Sequence, residues 1–363
     1  MGFVCGFIGL PNAGKSTIFN ALGAARAEVA SYPFCTIKPN QGIAPVPDER
    51  LENLARLLKP EKITPTLLEF WDIAGLVKGA NQGEGLGNQF LGHIRNVDAL
   101  AHVVRCFGDD KVTHVYGSVE PRRDIEIIQT ELILADLQTV EKRLAKSVHQ
   151  GKVGDKKSAA EIPHLEEIRT GLSRGSPAAA VALAEEGRSV LRLLDLLTAK
   201  PVLYVVNADE KELKERGCIP AVEKLAAGEN VPVVIVCGAL EAEIAELPPA
   251  ERSDFLKEMG LAESALNQLI RAGYHLLNLV TFYTTVGTEL RAWTVPRGTP
   301  APRAAGKIHT DMEQGFIRAE VISYPEFVSA GSMAAAREKG MVRVEGKDYI
   351  VQDGDILHIR FHA

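Results

Sequence analysis

The chain contains 363 residues, which is long for a single hydrophobic core and suits two or three domains. Hydrophobic residues make up 46% and charged residues 24% of the chain, as in ordinary globular proteins, and a net charge of −6 indicates no general attraction to nucleic acid. The five cysteines are scattered and no apolar run approaches ~20 residues, so we predict a cytoplasmic protein with no disulfide framework, zinc site, signal peptide or membrane contact.

The first predicted element is a buried strand over residues 3–8, and a helix over 17–22 follows it closely. Between them lies Gly9-Leu10-Pro11-Asn12-Ala13-Gly14-Lys15-Ser16, which matches the phosphate-binding motif G-x-x-x-x-G-K-[ST] in the setting that it requires. The glycines let backbone N–H groups surround phosphates, and the helix N-terminus adds its positive end. Lys15 is expected to contact the β- and γ-phosphates, and the Ser16 hydroxyl to bind Mg²⁺.

Two later segments complete the pattern of a nucleotide-dependent switch. Residues 30–40 contain two prolines and show no periodicity, so we predict a loop in which Thr36 reaches the Mg²⁺; the alternative is an ordinary surface threonine. Residues 65–72 form a predicted strand that runs into Asp72-Ile73-Ala74-Gly75. In this D-x-x-G motif Asp72 contacts Mg²⁺, commonly through water, and the backbone N–H of Gly75 meets the γ-phosphate.

The remaining elements of the first half are mostly helical. Asp48 is predicted to cap a helix over 49–58. After a buried strand over 99–107, a helical insert begins near Asp124, and a polar break at 150–158 separates its first helix from a second helical tract over 163–197. We interpret the two helices as an antiparallel coiled-coil arm; the alternative is that they cover the core sheet.

The segments that would recognise the base depart from the guanine-specific pattern. A strand over 201–206 ends in Asn207-Ala208-Asp209-Glu210, where guanine-nucleotide-binding proteins carry N-K-x-D, and a strand over 231–236 leads into Cys237-Gly238-Ala239. Glu210 is one methylene longer than the aspartate that accepts two hydrogen bonds from guanine, and Ala208 replaces the lysine whose stem covers the base. Adenine offers neither of those donors, so we predict weakened selectivity for GTP and a preference for ATP.

The C-terminal part differs in pattern from the rest of the chain. After a helix over 263–277, residues 281–363 show short alternating runs typical of strands, with two short helical stretches between them. This predicts a small mixed α+β domain. The predicted domains are therefore a nucleotide-binding domain in two parts, a helical insert and a C-terminal domain, over residues 1–122 with 199–280, 123–198 and 281–363.

These motifs resemble the YchF, or Obg-like ATPase, subfamily of the Obg-related P-loop NTPases. The resemblance covers essentially the whole chain and rests on the phosphate loop, on N-x-x-E at 207–210, on Tyr32-Pro33-Phe34-Cys35-Thr36-Ile37 and on Asp72-Ile73-Ala74-Gly75-Leu76-Val77-Lys78-Gly79-Ala80. It implies an α/β fold, with a Ras-like domain interrupted by a coiled-coil arm and followed by a β-grasp TGS domain. It also implies ATP preferred over GTP, slow hydrolysis and association with the ribosome.

The resemblance also implies roles for individual residues. Ser16 and Thr36 would lie on Mg²⁺, and the phosphates would be surrounded by Asn12, Ala13, Gly14, Lys15, Ser16 and Thr17. Asn207 and Ala208 would lie at the base, and Asn12 matches an asparagine that holds K⁺ in related enzymes. Leu76 stands where Ras-like enzymes carry the water-orienting glutamine, and His114 matches a histidine proposed to replace it. Without the resemblance, His114 would be interpreted as a surface histidine.

We therefore expect a monomeric switch that binds ATP and ADP, hydrolyses ATP slowly and modulates translation or a stress response. Its expected partner is the ribosome or the large ribosomal subunit, with possible contact to rRNA, through the arm and the TGS domain. Two alternatives stay open: a guanine-nucleotide-dependent GTPase of ribosome assembly, and a stand-alone metabolic ATPase. The chain shows no second group of residues suited to a small-molecule substrate, which favours the switch.

Overall fold

The computed structural model describes residues 3–24, 40–73, 86–286 and 288–362. Contacts between Cα atoms divide the chain into two compact units. Unit 1 comprises Met1–Ala44 and Glu69–Gly273, and unit 2 comprises Pro45–Leu68 and Tyr274–Ala363. No helix in the described part of the chain combines the length and the apolar character that a membrane span requires.

The described residues form twelve strands and fifteen α-helices, together with 3₁₀ turns at Ala178–Ala180 and Leu197–Ala199. The strands are β1 Val4–Ile8, β2 Gln41–Pro45, β3 Lys62–Thr64, β4 Leu67–Asp72, β5 Ala99–Cys106, β6 Val202–Ala208, β7 Val233–Val236, β8 Leu279–Val286, β9 Glu289–Pro296, β10 Phe316–Ser323, β11 Arg343–Glu345 and β12 Asp355–Phe361. The helices are α1 Lys15–Ala24, α2 Glu49–Leu58, α3 Leu86–Arg95, α4 Pro121–Lys152, α5 Lys156–Ser173, α6 Glu185–Leu194, α7 Glu210–Glu215, α8 Ile219–Glu229, α9 Gly238–Glu246, α10 Pro249–Glu258, α11 Ala265–Leu276, α12 Ala301–Ile308, α13 Thr310–Gln314, α14 Tyr324–Ala330 and α15 Met333–Glu338.

The first sheet has the strand order β2-β4-β1-β5-β6-β7, and its pairs from β4 to β7 are parallel. Every residue of β1 and β5 is buried, as expected for central parallel strands covered on both faces. The strand order reverses beside β1, and ligands of doubly wound sheets bind at the carboxyl ends of the strands at such a point. The phosphate loop follows β1 at this position, which agrees with the predicted Ras-like fold.

The helical insert forms a hairpin of α4 and α5. One part of α4 covers the sheet and another part pairs with α5, so each of the two interpretations applies to part of the insert. In its first half, α4 covers the sheet, since Ile128 and Leu132 share an apolar cluster with Ile8 and Leu100. Further along, Val140 belongs instead to a cluster that includes residues of α5, so the second half of α4 pairs with its neighbouring helix. The insert is thus anchored on the sheet at one end and extends as a helix pair at the other.

The bounds predicted for the second helical tract, 163–197, are wrong. Helix α5 begins earlier, at Lys156, because Asp155 caps it by accepting a hydrogen bond from the Lys157 N–H at 3.0 Å. It ends at Ser173, and Gly175 then has a φ of +79°. Residues 174–184 contain one 3₁₀ turn before α6 starts. The glycine and Pro177 interrupt the helix that hydrophobic periodicity alone suggested.

Unit 2 contains a sheet of order β11-β10-β12-β8-β9-β3. Its central strands β8 and β12 are parallel, while β8 with β9 and β10 with β12 are antiparallel, in agreement with the β-grasp expectation. Strand β8 was not predicted, and four helices lie between β9 and β11 where the sequence suggested two.

Residues 45–68 also pack in unit 2, although the sequence placed them in the nucleotide-binding range 1–122. Strand β3 pairs with β9, and α2 buries Leu51 and Leu54 in a cluster with Tyr283 and Leu290. Helix α2 itself has the predicted bounds, and Asp48 caps it by accepting a hydrogen bond from the Arg50 N–H at 3.0 Å. A strand pair and a shared apolar cluster therefore join this segment to residues more than two hundred positions later.

Candidate nucleotide-binding site

The phosphate loop has a backbone that requires glycine at two of its positions. Gly9 and Gly14 have φ values of +146° and +91°, and Asn12 adopts a φ of +63°, which asparagine tolerates better than most residues. A Cβ atom on Gly9 would lie 2.4 Å from the Val103 carbonyl oxygen. The loop turns directly into α1, where the Ile18 N–H donates to the Gly14 carbonyl at 3.1 Å. The motif thus forms a tight turn at a helix N-terminus, which suits an anionic ligand.

Lys15 is held over this loop by backbone carbonyls. Its ammonium donates to the carbonyls of Gly9 at 3.1 Å and Leu10 at 2.9 Å, and the residue is 7% exposed. Burial lowers the pKa of Lys15 to about 8, and the negative charge of Asp72 opposes that shift. No carboxylate within the described residues forms an ion pair with this buried ammonium, which gains further stabilisation when a polyanion enters the loop.

Ser16 and Asp72 meet at the mouth of the loop. The Ser16 hydroxyl donates to Asp72 Oδ2 at 2.8 Å, while Asp72 Oδ1 is buried and has no hydrogen-bond partner within the described ranges. Two adjacent oxygen atoms, one on a carboxylate with an unsatisfied oxygen, are the donors that Mg²⁺ prefers. These residues therefore fit the metal predicted from the motif. The other two predicted contacts, Thr36 and Gly75, lie outside the described residues.

Asn207 joins the phosphate loop to the N-terminus of α9, the helix that follows β7. Its Nδ2 donates to the Ala13 carbonyl at 3.0 Å, its Oδ1 accepts from the Gly238 N–H at 3.1 Å, and the residue is 5% exposed. A Cβ atom on Gly14 would lie 2.0 Å from Asn207 Nδ2. Glycine is therefore required at position 14 by this close contact as well as by its positive φ. Asn207 therefore holds the phosphate loop and the segment 237–239 together. Its partner in that segment is a backbone N–H, so the contact does not depend on the side chains that differ from the guanine-specific pattern.

The next three residues, 208–210, have different roles: one lies in the core, one caps a helix and one is exposed. Ala208 is 2% exposed and its side chain lies in an apolar cluster with Ile219 and Val222, so any contact to a base would come from its backbone. Asp209 caps α7, since its Oδ1 accepts from the Glu212 N–H at 2.7 Å. Glu210 is exposed as the first residue of α7. Of the two carboxylates, Glu210 is the one left available to a ligand.

The side chain of His114 is buried, whereas without the family resemblance it would be interpreted as a surface histidine. Its side chain is 5% exposed, and its Nδ1 accepts from the Tyr116 N–H at 3.1 Å. In the neutral ring the proton then lies on Nε2, which is 2.9 Å from Asp124 Oδ2. Asp124 also accepts from the guanidinium of Arg123 at 2.9 Å. Both ring nitrogens are thus engaged, and activation of a water by Nδ1 would require His114 to leave the Tyr116 N–H.

Arg105 is a residue of this region that the sequence analysis missed. It is 3% exposed on β5, and it donates to the carbonyls of Phe107 at 3.1 Å and Val112 at 3.0 Å. Its guanidinium also lies 4.4 Å from the centroid of the Phe107 ring. Next to Val112, the Thr113 carbonyl accepts from Asn12 Nδ2 at 3.0 Å. A charged residue inside a buried strand is costly, which was the available signal.

Comparisons with known families give matches to two parts of the chain. Residues 4–146 match the family model described as 50S ribosome-binding GTPase. Residues 279–362 match the model of the YchF-GTPase C-terminal domain, which is described as a protein of unknown function.

Full-length relatives extend these matches to the whole chain. It is 51% identical to the ribosome-binding ATPase YchF of Bacillus subtilis over 366 residues, covering 100% of both chains, and 51% identical to that of Escherichia coli O157:H7 over 363 residues, again covering 100% of both. The solved structure of the Schizosaccharomyces pombe YchF GTPase matches with a TM-score of 0.90 and 34% identity, covering 99% of this chain and 98% of that one. A GTP binding protein from Pyrococcus horikoshii shares the fold at a TM-score of 0.61 and 20% identity, covering 100% of both chains. This chain belongs to the YchF family.

Proposed function

We propose that this protein is an ATP-binding P-loop switch that hydrolyses ATP slowly and associates with the ribosome. The observation that carries the nucleotide part is the group of Lys15, Ser16 and Asp72 at the carboxyl ends of β1 and β4. The family relatives are named ribosome-binding ATPases, which supports both ATP and the ribosome as partners.

The phosphate loop supplies binding and charge stabilisation rather than covalent chemistry. Backbone N–H groups of residues 12–17 surround the phosphates, and Lys15 provides a point charge at the β- and γ-phosphates. Ser16 and Asp72 would hold Mg²⁺, with Thr36 as a third contact, and the bound metal neutralises charge that develops on the phosphates. Gly75 would donate its N–H to the γ-phosphate.

Slow hydrolysis is proposed from the residues expected near the γ-phosphate. Leu76 cannot orient a water molecule, and His114 is held between Asp124 and the Tyr116 N–H. Asn12 uses its Nδ2 on Thr113, which leaves its amide oxygen as the atom that K⁺ would take. We therefore propose that hydrolysis requires a rearrangement of residues 112–116, with K⁺ at Asn12 as a stimulating ion and His114 as the group that positions the water.

Selectivity for adenine is proposed from the base-recognition segment. Asn207 and the backbone of Ala208 border the site, Asp209 is committed to a helix cap, and Glu210 is the exposed carboxylate. Guanine would offer that carboxylate two N–H groups only if Glu210 could adopt the geometry of a shorter aspartate. A guanine-specific switch is the second candidate, because the Schizosaccharomyces pombe relative is named a GTPase.

A side-by-side titration of ATP, ADP, GTP and GDP tests the proposal, with Mg²⁺ and with either K⁺ or Na⁺ present. We expect tighter binding of adenine nucleotides and faster hydrolysis in K⁺. Tighter binding of guanine nucleotides would instead indicate a ribosome-linked GTPase. Equal hydrolysis in K⁺ and Na⁺ would remove the proposed role of Asn12.

The ribosome part of the proposal concerns the surfaces outside the nucleotide site. We propose that the helical insert over 123–198 and the C-terminal TGS domain over 281–363 bind the ribosome or its large subunit, and that the protein acts as a monomer in the cytoplasm. Sedimentation of the purified protein with ribosomes tests this. A stand-alone metabolic ATPase would remain in the supernatant at all nucleotide states.

A further inference from the structure

The hairpin of α4 and α5 separates its charges along its length. Residues 142–157, here called the basic tip, form the end of α4, the turn and the start of α5. They contain six Lys or Arg and one Asp, a net of five positive charges. The adjoining stretches 121–141 and 158–173 contain three basic and eight acidic residues, a net of five negative charges. A basic tip therefore lies at the end of an acidic stalk, in a chain whose total charge is −6.

Most of the positive charge at the basic tip is available to a partner. Arg143 is committed, because it donates to both carboxylate oxygens of the buried Glu161, at 2.9 and 2.8 Å. Asp155 is committed to the α5 cap and also accepts from the Ser158 hydroxyl at 2.6 Å. Within the described residues, no ion pair with a carboxylate is formed by the five exposed lysines of the tip, which are Lys142, Lys146, Lys152, Lys156 and Lys157.

The lysines lie at the adjoining ends of α4 and α5, and the turn between the two helices is already folded. The N–H groups of Val153 and Asp155 donate to the Gln150 carbonyl at 3.2 and 3.1 Å, and the Ser158 hydroxyl donates to the Gln150 side chain at 3.1 Å. Gly154, with a φ of +96°, allows the chain to reverse. A partner would therefore bind a preformed arrangement of charges, which avoids the entropic cost of ordering a loop.

The tip is also remote from the anchored part of α4. Asp136 fixes that part, since its carboxylate accepts from the N–H groups of Leu197 and Thr198, both at 2.8 Å. From Asp136 to the end of α4 the helix rises by about 24 Å at 1.5 Å per residue. Changes of charge in the tip should therefore leave the phosphate loop and its chemistry unaffected.

We propose that the basic tip binds the phosphate backbone of ribosomal RNA. This inference rests on the proposed association with the ribosome and assigns a surface and a partner chemistry to it. Lysines on two helix ends that a folded turn joins, without ion-pair partners in the described part of the chain, suit a dense row of phosphates, from which they release condensed counterions. Four of the eight acidic residues of the stalk are buried, and its exposed charges carry no net positive charge, so the tip is the part of the hairpin that attracts RNA.

The composition of the tip argues against a lipid surface as its partner. Helices that lie on membranes carry several exposed apolar side chains beside their lysines. In the tip, which the structure describes in full, Val153 is the one large apolar side chain that is exposed, at 78%. Vesicles containing anionic lipid are therefore expected to bind the protein poorly.

The test compares the wild type with a fourfold tip variant, Lys146→Gln, Lys152→Gln, Lys156→Gln and Lys157→Gln. A control variant makes the same change of charge at four exposed sites elsewhere in unit 1, Arg169→Gln, Arg174→Gln, Lys214→Gln and Lys224→Gln. Binding to purified ribosomes is measured by sedimentation, and binding to deproteinised rRNA by fluorescence anisotropy, over a series of salt concentrations.

We expect the tip variant to bind rRNA about tenfold or more weakly near 0.1 M salt, with a log–log salt slope smaller by up to about three, since each phosphate contact contributes ~0.7–0.9. The control variant and a tip variant with arginine at the same four sites should behave like the wild type. ATP binding and hydrolysis should be unchanged in all of them. The single substitutions Lys146→Gln and Lys156→Gln, each lowering the slope by just under one, carry the test if the fourfold variant folds poorly.

The possible failures are distinguishable. If the salt slope is unchanged in the tip variant while the wild type still sediments with ribosomes, the proposal that the tip binds rRNA is overturned. The proposed function would be unaffected by that result. Loss of ribosome binding with unchanged rRNA affinity would assign the tip to a ribosomal protein and overturn the RNA partner, and tip-dependent binding to anionic vesicles in place of rRNA would do the same. A wild type that binds neither ribosomes nor rRNA would overturn the proposed function and the tip together.

Discussion

The bridge made by Asn207 offers a direct test of how the binding loops are held. Asn207→Ala removes the amide that joins the Ala13 carbonyl to the Gly238 N–H, two groups that lie 194 and 31 residues away along the chain. The residue is 5% exposed, so neither group regains a water molecule easily. A buried polar group left without a partner costs about 1–3 kcal/mol, and two such groups cost about 2–6 kcal/mol.

This cost should appear both in stability and in nucleotide affinity. A loss of 2 kcal/mol lowers the melting temperature of a domain of this size by about 4–8 °C. If the loop must be held in place to surround the phosphates, ATP affinity falls by at least about tenfold, which corresponds to ~1.4 kcal/mol. Thermal melting without nucleotide and calorimetric titration with MgATP measure the two effects separately.

Asn96→Ala is the matched control, because Asn96 is exposed and its amide makes a single local hydrogen bond to the Gly92 carbonyl at 3.1 Å. It should change stability by well under 1 kcal/mol and leave ATP binding intact. The reasoning is refuted if Asn207→Ala binds ATP like the wild type and melts within about 2 °C of it. A large loss of stability with unchanged affinity would show that the bridge supports the fold but not the loop.

Three further predictions follow from the site. Ser16→Ala should weaken binding of MgATP by about tenfold or more while changing Mg²⁺-free ADP binding little, since the hydroxyl serves the metal; equal losses in both titrations would contradict this. His114→Ala and Asp124→Asn should each slow hydrolysis by about tenfold, and the double variant should be no slower than His114→Ala, whereas additive losses would show independent roles. Asp136→Asn, at another buried aspartate of α4, is the control and should reduce stability without changing the hydrolysis rate. Burial, reinforced by the charge of Lys15, lowers the pKa of His102 to about 3 from its ordinary 6.5, so the unfolded chain binds more protons between these values and stability is lost as pH falls through that window. Urea unfolding from pH 6.5 to 4.5 should therefore show a shallower decline for His102→Leu than for the wild type or the exposed His93→Gln, and parallel curves would show that His102 does not contribute.

Local signals in the sequence predicted most elements and the phosphate loop correctly. The motif from Gly9 to Ser16 specifies its own backbone, because glycine is needed at defined positions and Lys15 follows at a fixed spacing. The bounds of α2 were also correct, since Asp48 caps the helix through a bond to a residue two positions away. Errors arose where hydrophobic periodicity continued across a turn, as at Gly175.

The burial and the hydrogen-bond partners of the candidate side chains depend on other segments of the chain. From the sequence without the resemblance, His114 would be interpreted as a surface histidine, yet its side chain is buried and hydrogen-bonded to Asp124 and to the Tyr116 N–H. Arg105 lies inside an apolar run of the sequence. Its partners, the carbonyls of Phe107 and Val112, belong to the loop after β5, and the sequence alone does not show that this loop packs against it. Residue type identified candidates for chemistry, while packing determined which of their atoms are free.

By itself, the sequence determined the family, the phosphate loop and the departure from guanine recognition. These properties reside in contiguous residues whose backbone geometry, capping and charge are local. The tertiary structure decided that Asn207 braces Ala13, that Asp72 meets Ser16, and that residues 45–68 pack with the C-terminal sheet. Those contacts depend on strand order and on apolar clusters shared by distant segments, because a side chain finds its partner only after the sheet has brought the two segments together.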